Sequence, residues 1–136
     1  MVEALGPFMP WIHLTGRILF SMMFIASGMN HLMKLGDTSA YTASKGVPAP
    51  KAATAVSGLV ILAAGIMVLL GWHRFIGAGL LVIFLILTAF IMHPFWKESD
   101  PEASMNEMGH FMKDLALAGA AMFIAFYSAL PWPMSL

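Results

Sequence analysis

Four stretches without a single Asp, Glu, Lys or Arg, at 18–33, 52–73, 75–96 and 115–136, dominate the 136-residue chain. Crossing the hydrocarbon layer of a bilayer takes roughly 20 residues of helix, and within it every backbone N–H and C=O must be satisfied inside the segment. Each stretch reaches that length with its flanks, which predicts four transmembrane helices at about 11–35, 51–71, 74–95 and 110–130. Only 10% of the residues are charged and 60% are hydrophobic, whereas a soluble domain carries about a quarter charged residues. The expected fold class is therefore all-α: a membrane-embedded antiparallel four-helix bundle, one transmembrane domain over residues 1–136.

The first stretch is the shortest. Arg17 can lie along a helix and carry its guanidinium to the interface, so the first span extends back to about Trp11. Ala26-Ser27-Gly28 also offers a signal-peptidase-like site, but Glu3 precedes the apolar run and no basic residue stands before Arg17, which favours a retained span. Residues 1–10, with Pro7 and Pro10, read as an interfacial lead-in. Net charge is zero and no basic run could track a phosphate backbone, which argues against nucleic acid as a partner. The absence of cysteine removes thiol exchange, thiolate metal sites and c-type haem attachment.

In the first helix Arg17, Ser21, Phe24, Gly28 and His31 recur at spacings of three and four and share one stripe, with Met23, Ser27, Asn30 and Lys34 beside it. A polar stripe on a membrane helix is expected to face protein, and Asn30 to be hydrogen-bonded inside the bundle. Residues 36–50, with Gly46-Val47-Pro48 and Pro50, read as a loop folding back over the bundle end. Gly58 and Gly65 lie two turns apart on the second helix and would admit a close neighbour. The 71–74 link permits only a tight hairpin, residues 97–109 read as a solvated connector, and Ala121, Ala125 and Ala129 offer a packing seam. An even number of spans gathers Trp11, Trp72 and Trp132 at one interface, as anchors should be. Lys34, Lys45, Lys51, Lys97 and Lys113 lie on the long-loop side against Arg17 and Arg74 on the other, so the long loops are expected in the cytoplasm.

That topology brings His31, His93 and His110 to one membrane face, flanked by Met29, Met33, Met92, Met105, Met108 and Met112. Imidazoles with thioethers suit copper, and two histidines from different helices could ligate haem. The same residues also serve as ordinary interfacial and gap-filling side chains, and no H-x-x-x-H stands on one helix. His110 and Asp114 are one turn apart beside Lys113, a cluster able to hold a quinone carbonyl or pass a proton, or simply to balance charge at a helix start. Arg17 either snorkels or pairs with a carboxylate of a partner subunit.

With Gly16-Arg17, Phe24-Ile25-Ala26-Ser27-Gly28, Tyr41, Gly46-Val47-Pro48, Gly65, Gly71, His93-Pro94-Phe95-Trp96 and the run from His110 to Gly119, the chain resembles the DoxX family of small four-helix membrane proteins. The resemblance implies a multi-pass protein of a bacterial or archaeal cytoplasmic membrane, without independent catalysis, associated with a membrane oxidoreductase such as thiosulfate:quinone oxidoreductase. It also implies an acid in the second helix near Ile61, which this chain lacks. The expected ligand-binding residues at the long-loop rim are Arg17, Asn30, His31, His93, His110, Lys113 and Asp114. Their expected ligand is a quinone, with copper or haem as the alternative. Expected partners are membrane lipid and either redox subunits in a hetero-complex or further copies of the chain. A bundle that only stabilises a larger assembly is the remaining reading.

Overall fold

A computed structural model describes residues 5–136, and among them every regular element is helical. In chain order these are α1 (Met9–Met33), α2 (Leu35–Ser44), α3 (Pro50–Leu70), α4 (Arg74–Met92) and α5 (Pro101–Phe126), with single 3₁₀ turns at Gly6–Phe8, Phe95–Lys97 and Tyr127–Ala129. All except α2 are long and apolar enough to cross a membrane. Glu3 and the start of the lead-in lie outside the described residues, and Pro7 and Pro10 open the first 3₁₀ turn and α1.

Two segments expected as irregular are helical. The 36–50 loop holds α2, which resumes after a break at Lys34 and stops before Gly46, a residue held at φ +77°. The 97–109 connector is helix from Pro101 onward. Asp100 caps it by accepting from the Ala103 N–H at 2.8 Å, and Pro101 and Glu102 occupy the first turn, where a missing N–H and a negative charge are both tolerated or favoured. In the tight hairpin, Gly71 at φ +73° closes α3: Trp72 N–H reaches Met67 O at 2.9 Å and Gly71 N–H reaches Val68 O at 3.2 Å.

Lipid gives helices no hydrophobic reason to associate, so close packing must hold the bundle. On α1 the buried residues are Arg17, Ser21, Phe24 and Gly28, the stripe read from the sequence. Gly28 crosses α3 at Gly58: a Cβ on Gly28 would lie 2.7 Å from Gly58 O, and one on Gly58 would lie 2.7 Å from His31 Cβ. One turn pair further, Gly65 seats Phe24 and Ile25. Across the hairpin Gly77 lets α4 approach Met67 of α3, and the α4 face of Ala78, Leu81, Leu85 and Ala89 meets Phe111, Ala118 and Ala121 of α5. The alanine seam of α5 is buried at Ala121, half-buried at Ala125 and exposed at Ala129.

Between α1 and α5 there is no such close backbone approach. Phe20 and Phe24, with ring centroids 5.0 Å apart, fill the middle of that gap against the same cluster as Ala118 and Ala121. Large apolar side chains such as Phe75, Ile83, Leu87 and Phe123 remain exposed, as a lipid-facing surface requires.

Gly58→Ala is expected to destabilise the protein by about 1–3 kcal/mol, because an added methyl would lie 2.7 Å from His31 Cβ, an atom fixed to the α1 backbone. Gly119→Ala, which meets nothing within 4 Å, should leave stability unchanged or raise it slightly. Thermal unfolding in detergent separates the two, and equal midpoints would remove the crossing as a structural contact.

Candidate functional site at the long-loop rim

α4 ends where His93 leaves the helix, its N–H still bonded to Ala89 O at 3.3 Å, and Pro94 prevents a further turn. This carries the imidazole sideways onto α5. There Glu107, His110, Phe111 and Asp114 share one face at helical spacing, so α5 presents two carboxylates to the same ring. His93 Nδ1 lies 2.8 Å from Glu107 Oε2, and a carboxylate can only accept, so Nδ1 carries the proton. The opposite nitrogen, Nε2, faces Asp114 Oδ2 at 3.8 Å. Lys45 stands 3.8 Å from Glu107, and Lys113 stands 3.3 Å from Asp114. Basic and acidic side chains thus alternate through Lys45, Glu107, His93, Asp114 and Lys113.

Asp114 is 3% exposed, and its Oδ2 has no hydrogen-bond partner among the described residues. A buried carboxylate is tolerated in a membrane helix only beside such compensating groups. At 3.8 Å Nε2 is beyond hydrogen-bond distance, which makes this oxygen the unsatisfied point of the site.

A cavity of about 400 Å³ opens beside this row. Phe24, Phe84, Leu85 and Ile91 form its apolar wall, while Tyr41, His31, Ser57, Thr88, His93 and Asp114 supply polar groups. α2 closes it from above: the Thr42 and Thr54 hydroxyls are 3.0 Å apart, and Ser57 Oγ is 3.3 Å from His31 Nδ1. The Tyr41 phenol ionises above the ordinary tyrosine range because burial disfavours its anion. Glu107 and Glu98 push in the same direction, and Lys45 pulls back.

Of the expected ligand-binding residues, His31, His93, Lys113 and Asp114 line this one cavity. His110 is exposed and stacks on His93, with centroids 5.0 Å apart and planes 20° apart; Asp114 turns to His93 and Lys113, not to His110. Stacked rings point their nitrogens side by side, which does not suit a haem iron held between them. Among the described residues no group of three or more His, Cys, Asp or Glu is placed to hold a metal ion. Asn30 is exposed and makes no side-chain hydrogen bond among the described residues, because it lies on the flank of α1 away from α3. Arg17 is buried, but at the opposite end of the bundle, where Nη2 donates to Met134 O at 2.7 Å. It shares a stripe with His31, yet 14 residues of helix separate them by about 21 Å.

Glu107, Lys45 and Tyr41 were not expected in the site. The spacing Glu107, His110, Phe111, Asp114 is the signal that could have revealed Glu107, had residues 97–109 been read as helix.

The family model described as DoxX matches residues 12–94. The inner membrane protein YphA of Escherichia coli (strain K12) is 30% identical over 120 residues, which cover 88% of this chain and 85% of YphA. No solved structure matches the chain. With four spanning helices, the chain is a multi-pass integral membrane protein.

In a Tyr127→Phe background the Tyr41 phenol is the only one left and should titrate above about 10 by its ultraviolet absorbance. Adding Glu107→Gln removes a negative neighbour and should lower that midpoint. An unmoved midpoint would separate Tyr41 from the charged row.

Proposed function

The chain belongs to the DoxX family, and from that premise and the geometry of the rim we propose that it is a membrane subunit of a redox assembly whose rim cavity takes the head of a quinone-like amphiphile. The observation that carries this reading is His93, held between Glu107 and Asp114 on the wall of a cavity with one apolar and one polar side. An aromatic head with carbonyl oxygens matches that division, since its ring suits Phe24, Phe84 and Leu85 and its oxygens suit hydroxyl and imidazole donors.

A bound quinone would supply two-electron, two-proton carrier chemistry. The chain's own contribution is to hold protons at defined atoms. With Nδ1–H committed to Glu107, Nε2 of His93 is the ring nitrogen left to exchange a hydrogen bond or a proton with a bound head group, beside the Asp114 carboxylate. Lys45 and Lys113 keep the two carboxylates from adding a net negative charge to the rim. The electron donor or acceptor is a partner chain, because this one has no cysteine and no metal-ligand cluster among its described residues. By the excess of lysine on this side the rim faces the cytoplasm.

Protein purified in mild detergent is expected to carry extractable quinone and to be stabilised by added ubiquinone or menaquinone. His93→Ala and Asp114→Asn should each weaken binding of the reduced quinol on the order of tenfold, because its hydroxyls are the groups able to donate to Nε2 and to the carboxylate. If neither quinone shifts the thermal midpoint of the wild type, or both variants bind as the wild type does, the quinone reading fails.

A further inference from the structure

A second cavity, of about 600 Å³, lies at the other end of the molecule, in the part of the α1–α5 gap not filled by Phe20 and Phe24. Arg17 and His13 of α1 form its polar wall, Phe123 of α5 and Tyr127 of the following 3₁₀ turn its apolar wall, and Trp132 its cover. Arg17 is 4% exposed. Its Nη2 is bonded to Met134 O, while its Nε and Nη1, and His13 Nδ1, have no hydrogen-bond partner among the described residues.

Arg74 lies close by, donating to Ser128 O at 2.7 Å and Leu130 O at 3.0 Å, and the Trp132 ring sits 4.8 Å from its guanidinium and 5.8 Å from that of Arg17. Two cations thus share this end. The described acidic side chains, Asp37, Glu98, Asp100, Glu102, Glu107 and Asp114, all belong to the long-loop side, and neither guanidinium makes an ion pair within 4 Å among the described residues. Backbone carbonyls offer partial charges only, and a buried guanidinium with free N–H groups needs a full counter-charge.

We propose that this crevice binds the phosphate of an anionic lipid, with Arg17 as its anchor and an acyl chain lying along Phe20, Phe123 and Tyr127. Phe123 and Tyr127 are exposed at the bundle surface, at 67% and 50%, so the apolar wall continues into the bilayer. A polar head at interfacial depth joined to an apolar track is the shape of a lipid, whereas a free phosphate would leave the track unused. Trp132 must swing aside to admit the head, giving up its indole N–H bond to Tyr127 O at 3.2 Å and its ring contacts with His13 and the Arg74 guanidinium.

The test uses the full chain in neutral detergent, with binding of phosphatidylglycerol, phosphatidylcholine and inorganic phosphate followed by native mass spectrometry and thermal unfolding. Phosphatidylglycerol is expected to bind and stabilise, phosphatidylcholine and inorganic phosphate to do neither, and Arg17→Gln to bind phosphatidylglycerol at least about tenfold more weakly. Gly16→Leu guards against a folding defect: an added Cβ at Gly16 meets nothing within 4 Å, so this variant should fold and yet block the crevice with Arg17 intact. Equal response to both lipids, undiminished phosphatidylglycerol binding in Gly16→Leu, or full stabilisation by inorganic phosphate alone would overturn the proposal. So would tighter lipid binding in Glu3→Gln, which would identify Glu3 as the counter-charge.

Discussion

The crossing of α1 over α3 at Gly28 and Gly58 is the contact on which the remaining arrangement depends. Two glycines facing each other let the backbones approach until a Cβ on either would collide with the partner. In hydrocarbon, where apolar side chains gain nothing by leaving lipid for protein, this close fit is the available source of association energy. It draws α1 onto α3 and away from α5. The gap left behind is plugged at mid-height by Phe20 and Phe24 and stays open near its ends, so both cavities follow from one choice of partner.

The two ends are electrostatic opposites. At the rim, acidic and basic side chains alternate within 4 Å of one another, which lets Asp114 remain buried at 3% exposure without an isolated charge. At the short-loop end the two guanidiniums meet, among the described residues, carbonyl oxygens of the C-terminal turns and the Trp132 ring. One end gathers acidic and basic side chains side by side, the other gathers two arginines with no acidic side chain among the described residues beside them. These are separable properties, since no residue lines both cavities.

The buried stripe of α1, the glycine contacts of α3 and the tight hairpin were legible because each is a local pattern. A helix shows every third or fourth residue to one neighbour, and Arg17, Ser21, Phe24 and Gly28 obey that rule. The rim was legible only in part. His31, His93, Lys113 and Asp114 converge as the topology requires, but Asn30 turns outward and Glu107 enters from a segment whose proline and acids had suggested solvent. Those acids are the capped first turns of α5, where Asp100 and Pro101 start a helix.

By itself the sequence determined four apolar spans, their antiparallel order and the inward stripe of α1, because span length and helical period are properties of one segment. Tertiary structure alone decided which helix meets which, and at what height. Periodicity places Arg17 and His31 on one stripe, but it does not say that about 21 Å of helix axis puts them at different cavities. Nor could it pair His93 with Glu107 and Asp114, since that contact depends on how far α4 runs before Pro94 releases it and on how early α5 begins.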